Sequence, residues 1–184
     1  MKVIAGVAKG AKLVNFEARP TLNRIKEDIF NILGALDGVR VLDLYAGSGA
    51  LGIEALSRGA EYAVFVERNP KVAEYIKINL KKTRFESAAQ IIISPVLSAL
   101  DSNILGRYDV IFLDPPYNNS EELLVMPRIS SILFPFGTVV YEKAADGLFR
   151  NFLGLRHIKT KKYGKNKLAK EILFYQNEHN TQEN

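Results

Sequence analysis

Arg40-Val-Leu-Asp-Leu-Tyr-Ala-Gly-Ser-Gly-Ala-Leu-Gly-Ile-Glu-Ala-Leu-Ser-Arg58 decides the fold. Arg40 to Tyr45 is a short apolar run of the kind that makes one buried strand. Glycines follow at 47, 49 and 52, and Leu51 to Arg58 then reads as a helix. Small residues between strand and helix let a ligand come close to the backbone. The plainer alternative is a tight strand-to-helix turn that holds nothing.

Outward from this unit the pattern repeats. Tyr62 to Glu67 is the next strand, and Pro70 then sits at a first helical position of a helix running towards Lys82. Gln90 to Ile93 is a third strand, followed by a helix-like stretch from Ser94 to about Leu105. Tyr108 to Leu113 is a fourth, stopped by Pro115 and Pro116. Ser120 to Leu133 is helical, and Thr138 to Glu142 is a fifth strand. Strands alternating with helices predict an α/β fold: an open, mostly parallel sheet with helices on both faces. Such sheets bind ligands at the carboxyl ends of their strands.

The two ends of the chain differ from this middle. Met1 to Glu17 carries two short extended runs around Gly6 and Gly10. Thr21 to Leu33 is amphipathic, with Ile25, Ile29, Ile32 and Leu33 on one stripe. Beyond Gly154, Leu155 to Tyr163 and Ala169 to Gln176 flank Gly164-Lys-Asn-Lys167 and predict a hairpin. The expected organisation is one domain over residues 1–176: an N-terminal extension and helix (1–36), a catalytic core (37–176), then a polar tail (177–184). The length of 184 residues suits one domain.

Composition narrows the chemistry. Cysteine is absent, which removes disulfides, thiolate nucleophiles and thiolate zinc sites. His157 and His179 are the only histidines and lie apart from any acidic cluster, so no metal is expected. The start of the chain lacks the apolar stretch of a signal peptide, and no run of about 18 apolar residues exists. A cytoplasmic, non-membrane protein is expected, working as a monomer. The net charge of +5 and pI of about 9.3 bring nucleic acid forward as a partner, against a mildly basic surface kept for solubility.

Two positions carry the chemistry. Gly47-Ser-Gly-Ala-Leu-Gly52 also fits the dinucleotide fingerprint, with Glu67 about where its ribose-binding acid belongs. Asp43 argues against a nicotinamide or flavin ligand: a carboxylate facing a pyrophosphate is repelled. Facing S-adenosylmethionine it meets an ammonium and a sulfonium. A helix-capping role for Asp43 fits less well, since a cap belongs beside Leu51. The second position is Asp114-Pro-Pro-Tyr117 at the end of the fourth strand. A base amine is a poor nucleophile because its lone pair is delocalised into the ring. Asp114 can accept from one N–H, and carbonyls of the stiff Pro115-Pro116 turn from the other. Tyr117 offers a face for stacking an extruded base. Alone, this tetrapeptide would be only a strand-ending turn.

These residues resemble a known family. From about Lys2 to Tyr175 the chain is similar to the RsmD-type methyltransferases, through Arg19-Pro-Thr21, Arg24 and Glu27 to Leu33, through Asp43 to Gly59, and through Asp114 to Tyr117. The resemblance implies a class I methyltransferase (Rossmann-like) sheet of seven strands with the last antiparallel. It implies S-adenosylmethionine as methyl donor and the N2 amine of a guanine in small-subunit (16S) ribosomal RNA, free or in an assembly particle, as acceptor. It carries donor contacts to Asp43, Ala46, Gly47, Gly49 and Glu67, with Tyr45, Ser48, Arg68 and Asp114 adjoining, and catalysis to Asp114, Pro115, Pro116 and Tyr117. The chain departs from the family pattern at Asn23, usually aspartate, and at Pro95, where many members carry an acid near the adenine amine. It is also less basic at Val7 and Ala8.

Candidate RNA contacts are Arg19, Thr21 and Arg24 near the N-terminal helix, and Lys161, Lys162, Tyr163 and Lys165 in the hairpin. The alternative is a hairpin edge kept from aggregating by its lysines. Rival functions are a DNA adenine-N6 methyltransferase, a protein-glutamine methyltransferase and a non-catalytic RNA-binding module. The first usually needs a target-recognition insertion, the second asparagine in place of Asp114.

Overall fold

β-Branched and aromatic residues fill the runs that become strands, and glycine, proline or charge ends them. In the computed structural model these runs are β1 (Arg40–Leu44), β2 (Tyr62–Glu67), β3 (Ala89–Ile93), β4 (Tyr108–Leu113), β5 (Leu133–Ala144), β6 (Leu155–Tyr163) and β7 (Lys170–Asn177). The helices are α1 (Pro20–Leu33), α2 (Ala50–Ser57), α3 (Pro70–Thr83), α4 (Val96–Asp101) and α5 (Glu122–Ile129). The structure describes residues 1–15, 20–115, 121–145, 151–164 and 169–178, without the side chains of Pro20, Thr21, Leu22 and Glu122.

The strands form one seven-stranded sheet in the order β3-β2-β1-β4-β5-β7-β6. β3, β2, β1, β4 and β5 pair in parallel, and β7 inserts antiparallel between β5 and β6. This is the class I methyltransferase arrangement, with the predicted hairpin supplying the reversed last strand.

Helices cover both faces. On one, Ile25, Ile29 and Phe30 of α1, Ile53 of α2 and Ile76 of α3 pack on Val41, Phe65, Phe112, Val140 and Phe174. On the other, Val96 and Ala99 of α4 and Val125, Met126 and Ile129 of α5 pack on Leu42, Leu44, Val64, Ile111, Leu113 and Tyr141. Asn69 begins α3 by accepting the Lys71 N–H at 2.9 Å, with Pro70 in the first turn.

The largest departures from the expected boundaries fall in β5, α4 and α5. β5 starts at Leu133 instead of Thr138, because an irregular register opposite β4 absorbs Pro135 and the left-handed Phe136 (φ 62°). α4 is shorter than the Ser94 to Leu105 stretch: Pro95 ends its chain on the entry side and Ser102 on the other. α5 passes into a short 3-10 turn at Ser130–Ile132 before β5.

The N-terminal segment is part of the same core. Val3 and Leu13 are buried beside Ile53 and Phe65. Polar bonds fasten it to α2: Glu54 accepts the N–H groups of Ile4 (2.8 Å) and Ala5 (3.0 Å), and the Ser57 carbonyl accepts that of Val7 (2.8 Å). At Gly6 a Cβ would stand 1.6 Å from the Ser57 carbonyl oxygen, so only glycine fits this contact.

Candidate active site

Strand alternation decides which side chains meet. Val41, Phe65 and Val140 face the α1 side, so Asp43, Glu67 and Glu142, two residues further along β1, β2 and β5, face it too. Asp114 follows Leu113 at the end of β4, and the register sets Leu44 beside Leu113 and Leu113 beside Tyr141. Neighbouring strands β2, β1, β4 and β5 therefore end in a row of carboxylates: Glu67, Asp43, Asp114 and Glu142.

A cavity of about 500 Å³ opens at this edge. Asp43, Tyr45, Ala46, Gly47 and Ser48 form one wall, Asp114 and Glu142 another, and Ile25, Lys26 and Ile29 of α1 a third. The glycine turn and the Asp114 corner thus share one space, as expected. Pro115 is buried behind Asp114. Gly49, Glu67 and Arg68 do not line the cavity; Arg68 is exposed, while Glu67 reaches the loop from behind. Pro116 and Tyr117 lie outside the described residues.

The loop is shaped by backbone that few residues adopt. Gly47 and Gly49 are left-handed (φ 56° and 76°), and so is Tyr45 (φ 61°), where a side chain makes that costly. Tyr45 is held by its hydroxyl, which donates to Glu121 Oε2 at 2.7 Å. Burial and Glu121 both push that hydroxyl well above its ordinary pKa. Glu67 takes the Gly47 N–H at 3.1 Å and the Asn69 N–H at 2.8 Å, joining the loop to the start of α3.

Asp43 corrects the sequence reading. Its Oδ2 accepts the Gly52 N–H at 3.0 Å, so it caps α2 from the neighbouring strand as well as facing the cavity. Residue 49 at the N-cap is glycine and has no side chain to do this. Gly52 is compelled from the other side, where a Cβ would lie 2.3 Å from the Phe65 ring.

Asn79 was not foreseen. It is fully buried in α3, donates to the Ser48 carbonyl (2.9 Å) and the Val14 carbonyl (2.9 Å), and accepts the Val14 N–H (2.7 Å). The loop and the N-terminal segment are therefore tied through one amide. Glu142 and its partner Lys170 were also missed as site residues. The clue to Glu142 was its place as the acid ending a parallel strand, the same clue that marked Asp43 and Glu67.

The cavity is negative. Two lysines reach it or its acids, and both are already paired: Lys26 with Glu54 (2.9 Å) and the Lys2 carbonyl (2.8 Å), Lys170 with Glu142 of the cavity wall. Burial pushes Asp43 up to about 8, helped by Asp114 and Glu67 and opposed by the Gly52 N–H. Asp114 meets solvent on its cavity side, yet protein encloses it more widely. Burial, then Glu142, push it up to about 7 against the pull of Lys170. Crowded carboxylates of this kind are relieved by a cation. The donor set suits a ligand bearing positive charge and opposes a pyrophosphate.

The two candidate RNA patches meet in part. The Tyr163 hydroxyl donates to Asp28 Oδ2 at 2.9 Å, joining β6 to α1 beside the exposed Arg24. Lys161 lies opposite Ile172 and shares the α1 face with Tyr163. Lys162 lies opposite Glu171 on the other face and pairs with it at 2.8 Å. The sequence reading grouped Lys161 and Lys162 in one patch; the two-residue period of a strand separates them. Arg19, Lys165 and the Thr21 side chain lie outside what the structure describes.

At the departures from the family pattern, Asn23 Oδ1 is buried with no hydrogen-bond partner among the described residues. Pro95 stands at the start of α4 without a capping side chain, and Val7 is largely exposed. Among the described residues no helix is long and apolar enough to cross a membrane, and no group of three or more acids or histidines is arranged to hold a metal.

Comparison with known proteins agrees with this geometry. The model of the family described as "Conserved hypothetical protein 95" matches residues 1–172. The chain is 36% identical over 154 residues to ribosomal RNA small subunit methyltransferase D of Haemophilus influenzae, covering 79% of this chain and 80% of that one. It is 43% identical over 127 residues to YlbH of Bacillus subtilis, covering 66% and 69%. The solved structure of yhhF from Escherichia coli aligns with a TM-score of 0.86 at 27% identity, covering 97% and 98%. A sheet of this strand order, an acid-lined cavity at its carboxyl edge and these relatives together place the chain: it belongs to the RsmD-type family of methyltransferases.

Proposed function

We propose that the chain transfers a methyl group from S-adenosylmethionine to the exocyclic N2 amine of a guanine in small-subunit ribosomal RNA. The observation that carries this reading is the cavity shared by Asp43, the glycine loop and Asp114. When bound, S-adenosylmethionine supplies an electrophilic methyl on a positively charged sulfur. Asp43 and Asp114 supply negative charge to hold it, Ala46 to Ser48 supply a close backbone wall, and Glu67 braces that wall from behind through the Gly47 N–H. Asp114 then accepts an amine N–H, which localises the nitrogen lone pair, and takes the released proton. Most of the acceleration comes from positioning.

Arg24, Lys161 and Tyr163, clustered by the bond to Asp28, are the described residues best placed to hold RNA beside this mouth. They give phosphate affinity without sequence choice. The setting is the cytoplasm, where ribosomal subunits are assembled. The direct experiment supplies tritiated methyl donor to RNA from cells lacking the protein and maps the labelled base. Label on guanine N2 of the small-subunit RNA is expected; label on protein or DNA overturns the substrate assignment.

A pH test addresses donor binding. Burial pushes the Asp43 carboxyl up to about 8, and its ionised form is the one that attracts a cation. Donor affinity should therefore fall as the pH drops through this range, by at most about tenfold per pH unit. Asp43→Asn keeps an oxygen for the Gly52 N–H but does not titrate. Titration calorimetry from about pH 6 to pH 9 should show a sloping affinity in the parent and a flat, weaker one in the variant. A flat parent profile counts against Asp43 as the cation-binding group.

A further inference from the structure

Guanine presents two adjacent donors on its pairing edge, N1–H and the N2 amine. Adenine presents an acceptor at N1. An enzyme that methylates N2 can exploit this difference with two acceptors side by side, and Asp114 is only one of them.

We infer that Glu142 is the second: its carboxylate accepts the guanine N1–H while Asp114 accepts from the N2 amine, so that the pair restricts the reaction to guanine. The inference rests on the guanine-N2 reading above and deepens it. Four observations support it. Register places Glu142, just past Tyr141, beside Asp114, just past Leu113. Alternation turns Glu142 to the α1 face, and it lines the same cavity as Asp114. It is 7% exposed, so its carboxylate is nearly withdrawn from water and open to the cavity. Lys170 of β7 pairs with Glu142 Oε1 and so fixes where the carboxylate sits in the cavity wall. A carboxylate offers about four acceptor positions, more than one ion pair fills.

The arrangement has a clear chemical bias. Asp43, Asp114 and Glu142 are acceptors when ionised, and the nearby lysines are engaged with Glu54 and Glu142. A base that brings two donors is matched there. A base that brings a lone pair at N1 faces a carboxylate and is repelled. Extruded bases are read on this edge, and a site built to accept a hydrogen bond strongly rejects an analogue lacking the donor.

2-Aminopurine tests this, because it keeps the N2 amine and lacks the N1–H. Small-subunit RNA is assembled by ligation with guanine or 2-aminopurine at the position mapped by labelling. The parent enzyme should methylate 2-aminopurine more slowly in kcat/KM, on the order of a hundredfold. Glu142→Gln should lose guanine methylation by a similar factor, yet gain on 2-aminopurine, since its carboxamide can donate to N1. Donor affinity measured by calorimetry should stay within about threefold, because Glu142 is not placed against the glycine loop. A purely structural Glu142–Lys170 pair would lower both substrates alike. The inference is overturned if the parent methylates both RNAs at similar rates, or if Glu142→Gln keeps the full preference. Should the variant fail to fold, the parent's preference alone decides. Label on a base other than guanine overturns the substrate reading and this inference together. Label on guanine without discrimination overturns this inference only.

Discussion

Asp114→Ala is expected to lower kcat by on the order of a thousandfold and to change donor affinity far less. Asp114 stands at the end of β4 in the wall of the cavity, facing the loop that carries Asp43. Removing its carboxylate leaves the target amine without its acceptor while the glycine loop, Glu67 and Asp43 still hold the donor. Asp114→Asn keeps an acceptor oxygen without the charge and should fall between parent and alanine. The pH profile follows from the same group. Its carboxyl is pushed up to about 7 by burial and Glu142, and only the ionised form can take the released proton. Activity should therefore decline as the pH falls below about 7, and a bound cationic donor should move that limb lower. Single-turnover methyl transfer with calorimetry on the same samples checks both parts. Full activity in Asp114→Ala would remove the proposed chemistry.

The second large effect is on stability. Glu54→Ala should destabilise the fold by about 3–5 kcal/mol, because it strands a buried lysine. Glu54 is fully buried in α2 and serves four donors: the N–H groups of Ile4 and Ala5, Lys26 Nζ and Arg58 Nε. Arg58 also lies over the Phe30 ring at 4.8 Å, so one carboxylate organises α1, α2 and the N-terminal segment. Burial lowers the Lys26 pKa even with Glu54 present, so its ammonium depends on that partner. Burial alone would push Glu54 up, but Lys26, the Ile4 N–H and Arg58 together hold it below its ordinary value. A depressed carboxylate stabilises the fold above the ordinary carboxylate range and loses that contribution as the pH falls through its lowered value. Thermal unfolding followed by circular dichroism should show a drop in Tm on the order of 10 °C. A loss below about 1 kcal/mol would mean that the segment is held by its apolar contacts alone.

Much of the fold was legible because local pattern and tertiary need coincide. β1, β2 and β4 are short apolar runs closed by an acid or a glycine turn, and buried strands need little else. Asp43, Glu67 and Asp114 stood out for the same reason: an acid at the carboxyl end of such a strand has somewhere to point. Glu142 obeys this rule too, but it lies in a strand whose start is disguised by Pro135 and Phe136. Polar residues inside helices were the harder class. Glu54 and Asn79 are residue types usually left to solvent, and both are fully buried. Their partners are backbone groups of a segment distant in sequence, 49 to 65 residues away, which no local period records. The capping reach of Asp43 to Gly52 is likewise invisible without the sheet that brings them together.

The acid row at the end of the sheet also bears on how the enzyme lets go. On the proposed reading, each round of chemistry strips one positive charge from the bound molecule. Asp43, beside the glycine loop, stays as it was, so its grip slackens on what remains. Turnover is then biased towards departure of the spent molecule by the same carboxylate that captured the fresh one, with no moving part required.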